Sequence, residues 1–173
     1  MNSSRQRFRL NDIEYLYIKM YYYSILLYWS GFMMIRYLKR LPDKAGLYRL
    51  FQTTGWPNLR QLDEGRLYLA ASGSWYFVSA WAAEECIGFG RVISDGAFQA
   101  FICDLIVHPD YQSRGIGSTI LQSLLAECQR LNLVSVQLSA AKGKAGFYRK
   151  FGFAERLPDA PGMYWADRSM LLH

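Results

Sequence analysis

The segment Gln112-Ser113-Arg114-Gly115-Ile116-Gly117-Ser118 follows the apolar run Leu105-Ile106-Val107 across a turn at His108-Pro109-Asp110-Tyr111. Pro109 ends an extended run, and the next apolar periodicity begins near Gly115, where a helix is expected. Backbone N–H groups from Ser113 to Ser118 have no intrahelical acceptor at such a start. Together with the positive end of the helix dipole they form an anion site, and glycines let a phosphate approach the main chain closely. Arg114 adds a cationic side chain. The loop lacks the Gly-Lys-Ser/Thr ending of a triphosphate-binding loop and the third glycine of a dinucleotide fingerprint.

Two further side chains have types suited to proton transfer. Tyr148 lies in Phe147-Tyr148-Arg149-Lys150-Phe151-Gly152-Phe153, a short helix ending at a glycine fit for the C′ position. Asp104 is the one acid within the apolar run Phe98 to Val107, where a carboxylate is costly unless it has a task or a partner. An arginine such as Arg91 could be that partner.

These residues need elements to position them. Met33 to Leu38 reads as a strand, and Asp43 caps a helix with Leu47, Leu50 and Phe51 on one face. Asn58 is expected to cap a second helix carrying Leu59, Leu62, Leu67 and Leu69. Trp75 to Ala82 and Cys86 to Ser94 form a hairpin about Ala83-Glu84-Glu85. A third strand runs from Phe98 to Val107 after a turn at Asp95-Gly96. Gly115 to Leu131 is a helix with Ile116, Ile120, Leu121, Leu124 and Leu125 mostly on one face. A strand at Val134 to Leu138, a short helix at Gly143 to Phe151 and a final strand region from Phe153 complete the order. The class is α/β (α+β), a single domain with a mixed sheet.

Composition agrees with one globular domain. The 173 residues are 51% apolar and 20% charged, which excludes a disordered or collagen-like chain. The formal net charge of +6 comes from scattered side chains, too sparse to follow a nucleic-acid backbone. Cys86, Cys103 and Cys128 are far apart and the histidines are two, so neither a metal site nor a disulfide framework is expected. A reducing, cytoplasmic setting fits best. Residues 1–32 stand apart as an apolar and aromatic extension, with six tyrosines and an uncharged run from Met20 to Ile35. A membrane span needs about 20 apolar residues, and this run is shorter. It is read as a helical appendage or as a segment upstream of an internal start at Met33 or Met34, with the domain itself at 33–173.

Strand, Gln-x-x-Gly-x-Gly helix, strand, then Phe-Tyr-x-x-Phe-Gly-Phe resembles the GNAT superfamily of acetyl-CoA-dependent N-acyltransferases, over roughly Ile35 to Trp165. Ser94 to Tyr111 is most similar to bacterial and plastid arylalkylamine-type members. The resemblance implies a mostly antiparallel mixed sheet flanked by about four helices. It also implies transfer of an acetyl group from acetyl-CoA to a primary amine, by direct attack in a ternary complex, with no metal. In such enzymes Gln112, Ser113, Arg114, Gly115, Ile116, Gly117 and Ser118 would hold the pyrophosphate. The backbone of Leu105, Ile106 and Val107 would pair with the pantetheine arm. Tyr148 would protonate the leaving thiolate, and Asp104 is the candidate base for the ammonium, unless it is a structural acid. Tyr111 and His108 could relay a proton, and Gln99 could orient the amine. Phe51, Trp56, Trp75, Tyr76 and Phe98 offer aromatic lining. The asparagine that many members carry before the motif tyrosine is replaced by Ala140-Ala141-Lys142-Gly143-Lys144, whose lysines can face phosphates. The acceptor expected is a small (aryl)alkylamine. A protein amine, or a non-catalytic acyl-CoA sensor on the same fold, are the alternatives. A homodimer is compatible with the sequence; nucleic-acid and membrane partners are not expected.

Overall fold

Short apolar runs alternating with turns build a five-stranded sheet, seen in a computed structural model that describes Lys19 and residues 34–163 other than 57, 58 and 60. The strands are β1 (Ile35–Leu38), β2 (Tyr76–Ala82), β3 (Glu85–Ser94), β4 (Gln99–Val107) and β5 (Ser135–Leu138). They lie in sequence order. The first four are antiparallel neighbours, and β5 runs parallel to β4. A parallel neighbour requires a crossover, which helix α3 (Ile116–Arg130) supplies. Helices α1 (Lys44–Gln52) and α2 (Glu64–Ser72) cover the other face, and α4 (Ala145–Arg149) follows β5. Among the described residues, the expected mixed, mostly antiparallel sheet flanked by about four helices is therefore the observed one. The N-terminal extension at 1–32 lies outside the described residues, Lys19 excepted.

Capping sets where the first two helices begin. Asp43 accepts from the Gly46 N–H at 2.6 Å, as expected. The second helix starts later than expected: Asp63, not Asn58, caps it, accepting from the Arg66 N–H at 2.8 Å. Asn58 itself is outside the described residues. Leu59 and Leu62 precede this helix in tight turns closed by Leu59 N–H to Trp56 and Leu62 N–H to Leu59 carbonyls. Leu67 and Ala71, four apart, are the buried residues of α2, whereas Leu69 is 71% exposed. The strand region expected from Phe153 is also absent as far as Met163; residues beyond that are outside the described ones. Pro158 and Pro161 lack the N–H a strand interior needs, and the chain there closes a turn through Ala160 N–H to Leu157 carbonyl.

Two apolar layers sandwich the sheet. Ile116, Ile120, Leu121, Leu124 and Cys128 line one side of α3 and pack on Val78, Val92, Ala100 and Ile102. Each fully buried leucine or isoleucine contributes about 1.5–3 kcal/mol. On the other side Leu47, Leu50 and Phe51 of α1 meet Leu67, Phe89 and Ile106.

The register of β3 against β4 breaks once. Arg91 pairs with Cys103 and Phe89 with Ile106, so Asp104 and Leu105 together oppose Gly90. This is a β-bulge, and Asp104 occupies its left-handed turn with φ of +53°. Because side chains alternate, the inserted residue returns Leu105 and Val107 to the α3 face already occupied by Ala100 and Ile102. Gly90 is required opposite. A Cβ there would stand 2.7 Å from Ile120 Cγ2 and 3.2 Å from both Leu105 Cδ1 and Leu124 Cδ1. Gly90→Ala should therefore lower unfolding free energy by about 1–3 kcal/mol, the usual cost of overpacking, measured by urea denaturation.

Candidate active site

Pairing between β4 and β5 runs from Gln99 with Ser135 to Ile102 with Leu138 and stops there. From Cys103 to Val107 the edge of β4 that faced β5 has no strand beside it among the described residues. A strand edge of this kind can take an extended ligand through its main-chain groups. The bulge at Asp104 coincides with the point where the two strands part.

Beyond Val107 the chain makes a single 3-10 turn, Pro109–Tyr111, and reaches the start of α3. The His108 N–H donates to the Ile87 carbonyl at 2.8 Å, which anchors the end of β4 to β3. Gln112 Nε2 donates to the Val107 carbonyl at 3.0 Å, so this side chain braces the loop. Gly115 stands at the N-cap with φ of +81° and Ser113 has φ of +61°. Among the described residues the main-chain N–H groups of residues 113–118 have no acceptor, the first helical bond being Thr119 N–H to Gly115 carbonyl. Residues 112–115 are exposed. The expected anion site is thus open to solvent, made of backbone, and preceded by an unpaired strand edge. Ile116 contributes only its amide, its side chain being buried in the core.

Arg114 places its guanidinium over the Tyr111 ring, 5.4 Å from the centroid, and donates to the Asp110 carbonyl at 2.9 Å. His108 packs edge-on against the same ring at 5.9 Å. These contacts hold the Tyr111 ring beside the loop. Lys142, Lys144 and Lys150 are exposed, while Arg149 is paired with Glu155.

Tyr148 is half-buried on α4, its ring edge-on to Phe147 at 5.1 Å and to Phe153 at 6.1 Å. Desolvation by these neighbours raises the phenol pKa above its ordinary value of 10. Helix α4 reaches the mouth of the site through Phe147. A Cβ on Gly117 would lie 3.9 Å from Phe147 Cζ and 3.5 Å from Val107 Cγ2, so α3, β4 and α4 meet at this glycine.

Asp104 is held by Arg91, whose Nε donates to Oδ2. Side chains of the pair are only 15% and 19% exposed. Among the described residues Oδ1 has no protein donor. Gln99 lies at the other end of β4, five residues and about 16 Å away at strand rise, where its side chain meets Gln137. It is not brought to the bulge. Nor do the five aromatic residues converge: Phe51 is core beside Trp56 and Phe89, Trp75 meets Tyr76, and Phe98 is 51% exposed beyond the strand. Sequence reasoning missed the bulge and the Gly90 that faces it; Gly88-x-Gly90 inside an apolar strand is the signal that could have revealed them. Burial pushes the Cys103 thiol up to about 11 and the Cys86 thiol up to about 12.

Residues 73–155 match the acetyltransferase (GNAT) domain model. The chain is 34% identical over 134 residues to the histone acetyltransferase TAP1 of Glycine max, covering 71% of this chain and 57% of that one. It is 30% identical over 119 residues to the chloroplastic serotonin N-acetyltransferase 2 of Oryza sativa subsp. japonica, covering 68% and 59%. A crystal structure of a probable acetyltransferase from meticillin-resistant Staphylococcus aureus superimposes with a TM-score of 0.70 at 26% identity, covering 78% of this chain and 100% of that one. The chain spans about half the length of the curated relatives it matches.

Nothing lies within 4 Å of a Cβ built on Gly115, so only its left-handed backbone resists substitution. Gly115→Val should distort the loop and raise the Kd for coenzyme A about tenfold, a loss of about 1.4 kcal/mol, measured by titration calorimetry.

Proposed function

We propose that this chain, which matches the acetyltransferase (GNAT) domain over residues 73–155, transfers the acetyl group of acetyl-CoA to a primary amine, a small arylalkylamine. The observation that carries this is the run of unbonded amides at residues 113–118, set at the end of the unpaired β4 edge.

Bound acetyl-CoA would supply the thioester that the amine attacks. The chain's own groups divide the remaining work. Amides of residues 113–118 hold the diphosphate with the α3 dipole behind them. Main-chain groups of Leu105, Ile106 and Val107 receive the pantetheine arm as an added strand would be received. Tyr148, kept protonated by burial, donates its proton to the departing thiolate. An ammonium must lose a proton before it can attack; Asp104 takes it through Oδ1, directly or across a water, while Arg91 occupies Oδ2. Transfer is direct, because the buried thiols of Cys86 and Cys103 hold their protons at neutral pH and are poor nucleophiles.

The arylalkylamine acceptor draws support from the serotonin N-acetyltransferase relative. A protein amine is the second reading, favoured by the TAP1 match over 71% of the chain. We place the protein in a reducing compartment, the cytoplasm, on the strength of its free cysteines Cys86, Cys103 and Cys128.

Free thiol released from acetyl-CoA should appear with arylalkylamines and rise more slowly with lysine or N-terminal peptides. The reverse order would favour the protein acceptor, and no thiol with any amine would leave a ligand sensor. Tyr148→Phe should lower kcat about 10²–10⁴-fold and leave the Kd for coenzyme A nearly unchanged. Because folding raises this phenol's pKa, the wild-type rate should show no alkaline loss from it below about pH 10.

A further inference from the structure

Four described residues other than glycine have a positive φ: Ala83, Asp104, Ser113 and Asn132. Three of them lie in turns or loops. Asp104 alone lies inside a strand, and the pairing of β4 with β5 ends just before it. The backbone there needs a reason to stay in a conformation that L-residues rarely adopt.

Arg91 supplies one. It stands on β3 in register with Cys103, and its Nε bonds Asp104 Oδ2. Its Nη1 donates to the Ala70 carbonyl in the last turn of α2 at 3.1 Å and lies 3.5 Å from Ser74 Oγ. One guanidinium thus braces the bulge against a neighbouring strand, a helix end and the segment that follows it. The pair is mostly buried, so solvent screens it little. Without this brace β4 can drop its extra residue, and a slip of one residue would turn Leu105 and Val107 away from α3.

Resting on the acetyltransferase reading above, we propose that Arg91 is a positioning residue: it holds the Asp104 turn that parts β4 from β5 and so keeps the strand edge open for the pantetheine arm.

The test is coenzyme A affinity by titration calorimetry, with thermal unfolding followed in parallel, for wild type, Arg91→Met and the double variant Arg91→Met/Asp104→Gly. Glycine adopts the left-handed turn without a brace. Arg91→Met should raise the Kd about tenfold or more, the scale set by about 1.4 kcal/mol. The double variant should return to within about threefold of wild type although the ion pair is gone and the melting temperature stays low. A merely structural Arg91 predicts instead that affinity follows stability in both variants. Wild-type affinity in Arg91→Met, or a double variant as weak as the single one, overturns the proposal. If Arg91→Met does not fold, the double variant decides: weak binding by a folded double variant, or its failure to fold, overturns it as well. Wild type that binds no coenzyme A sinks the acetyltransferase reading itself and takes this assignment with it. Turnover is not the readout for Asp104→Gly, since that carboxylate is a candidate base.

Discussion

A strand can offer its hydrogen-bonding groups to a ligand only if no neighbouring strand consumes them. The candidate site depends on β4 satisfying that condition over half its length while remaining fixed to β3 on its other edge. The bulge at Asp104 reconciles the two demands. It adds a residue, sharpens the local twist, and keeps Leu105 and Val107 on the α3 face, so the core stays closed where the sheet opens. The cost of a non-glycine residue in the left-handed region, about 1–2 kcal/mol, is modest beside the burial that α3 achieves on Gly88 and Gly90.

Electrostatics follow from where the strand leads. The end of β4 delivers the chain to a glycine turn and then to fifteen residues of helix. Backbone amides make up the candidate anion site, so most of its attraction would not require a long side chain to be ordered. Arg114 is already engaged with Tyr111 and the Asp110 carbonyl, and Gln112 with Val107. Such fixed dipoles lose little entropy when an anion arrives. Tyr148 sits in the opposite environment: aromatic neighbours and desolvation keep its proton in place.

What the sequence makes legible is whatever depends on local periodicity. The spacing of Ile116, Ile120, Leu121 and Leu124 predicts α3, the glycines around it predict the anion loop, and the Phe147 to Phe153 motif places Tyr148 on its short helix. What escapes is decided by partners distant in the chain. Asn58 and Asp63 are equally good caps on paper; the burial of Leu67 and Ala71 selects the second. The partner of Asp104 is Arg91, on another strand and thirteen residues away. The bulge faces Gly90 on β3, and Gly90 in turn faces Ile120 on α3; nothing in the run Phe98 to Val107 shows that pairing. Phe51, Trp56, Trp75 and Tyr76 are divided between two separate core clusters and Phe98 is exposed, so the five rings line no common pocket.

The contact at Gly117 has a consequence of scale. Val107 and Phe147 flank that residue from two directions, so the candidate anion loop, the strand end and the helix of Tyr148 share one joint. On the proposed reading, the distance from diphosphate to proton donor would be a built-in gauge. It would be set by side chains in contact rather than by a hinge, and would match the length of arm between the two ends of the molecule accepted.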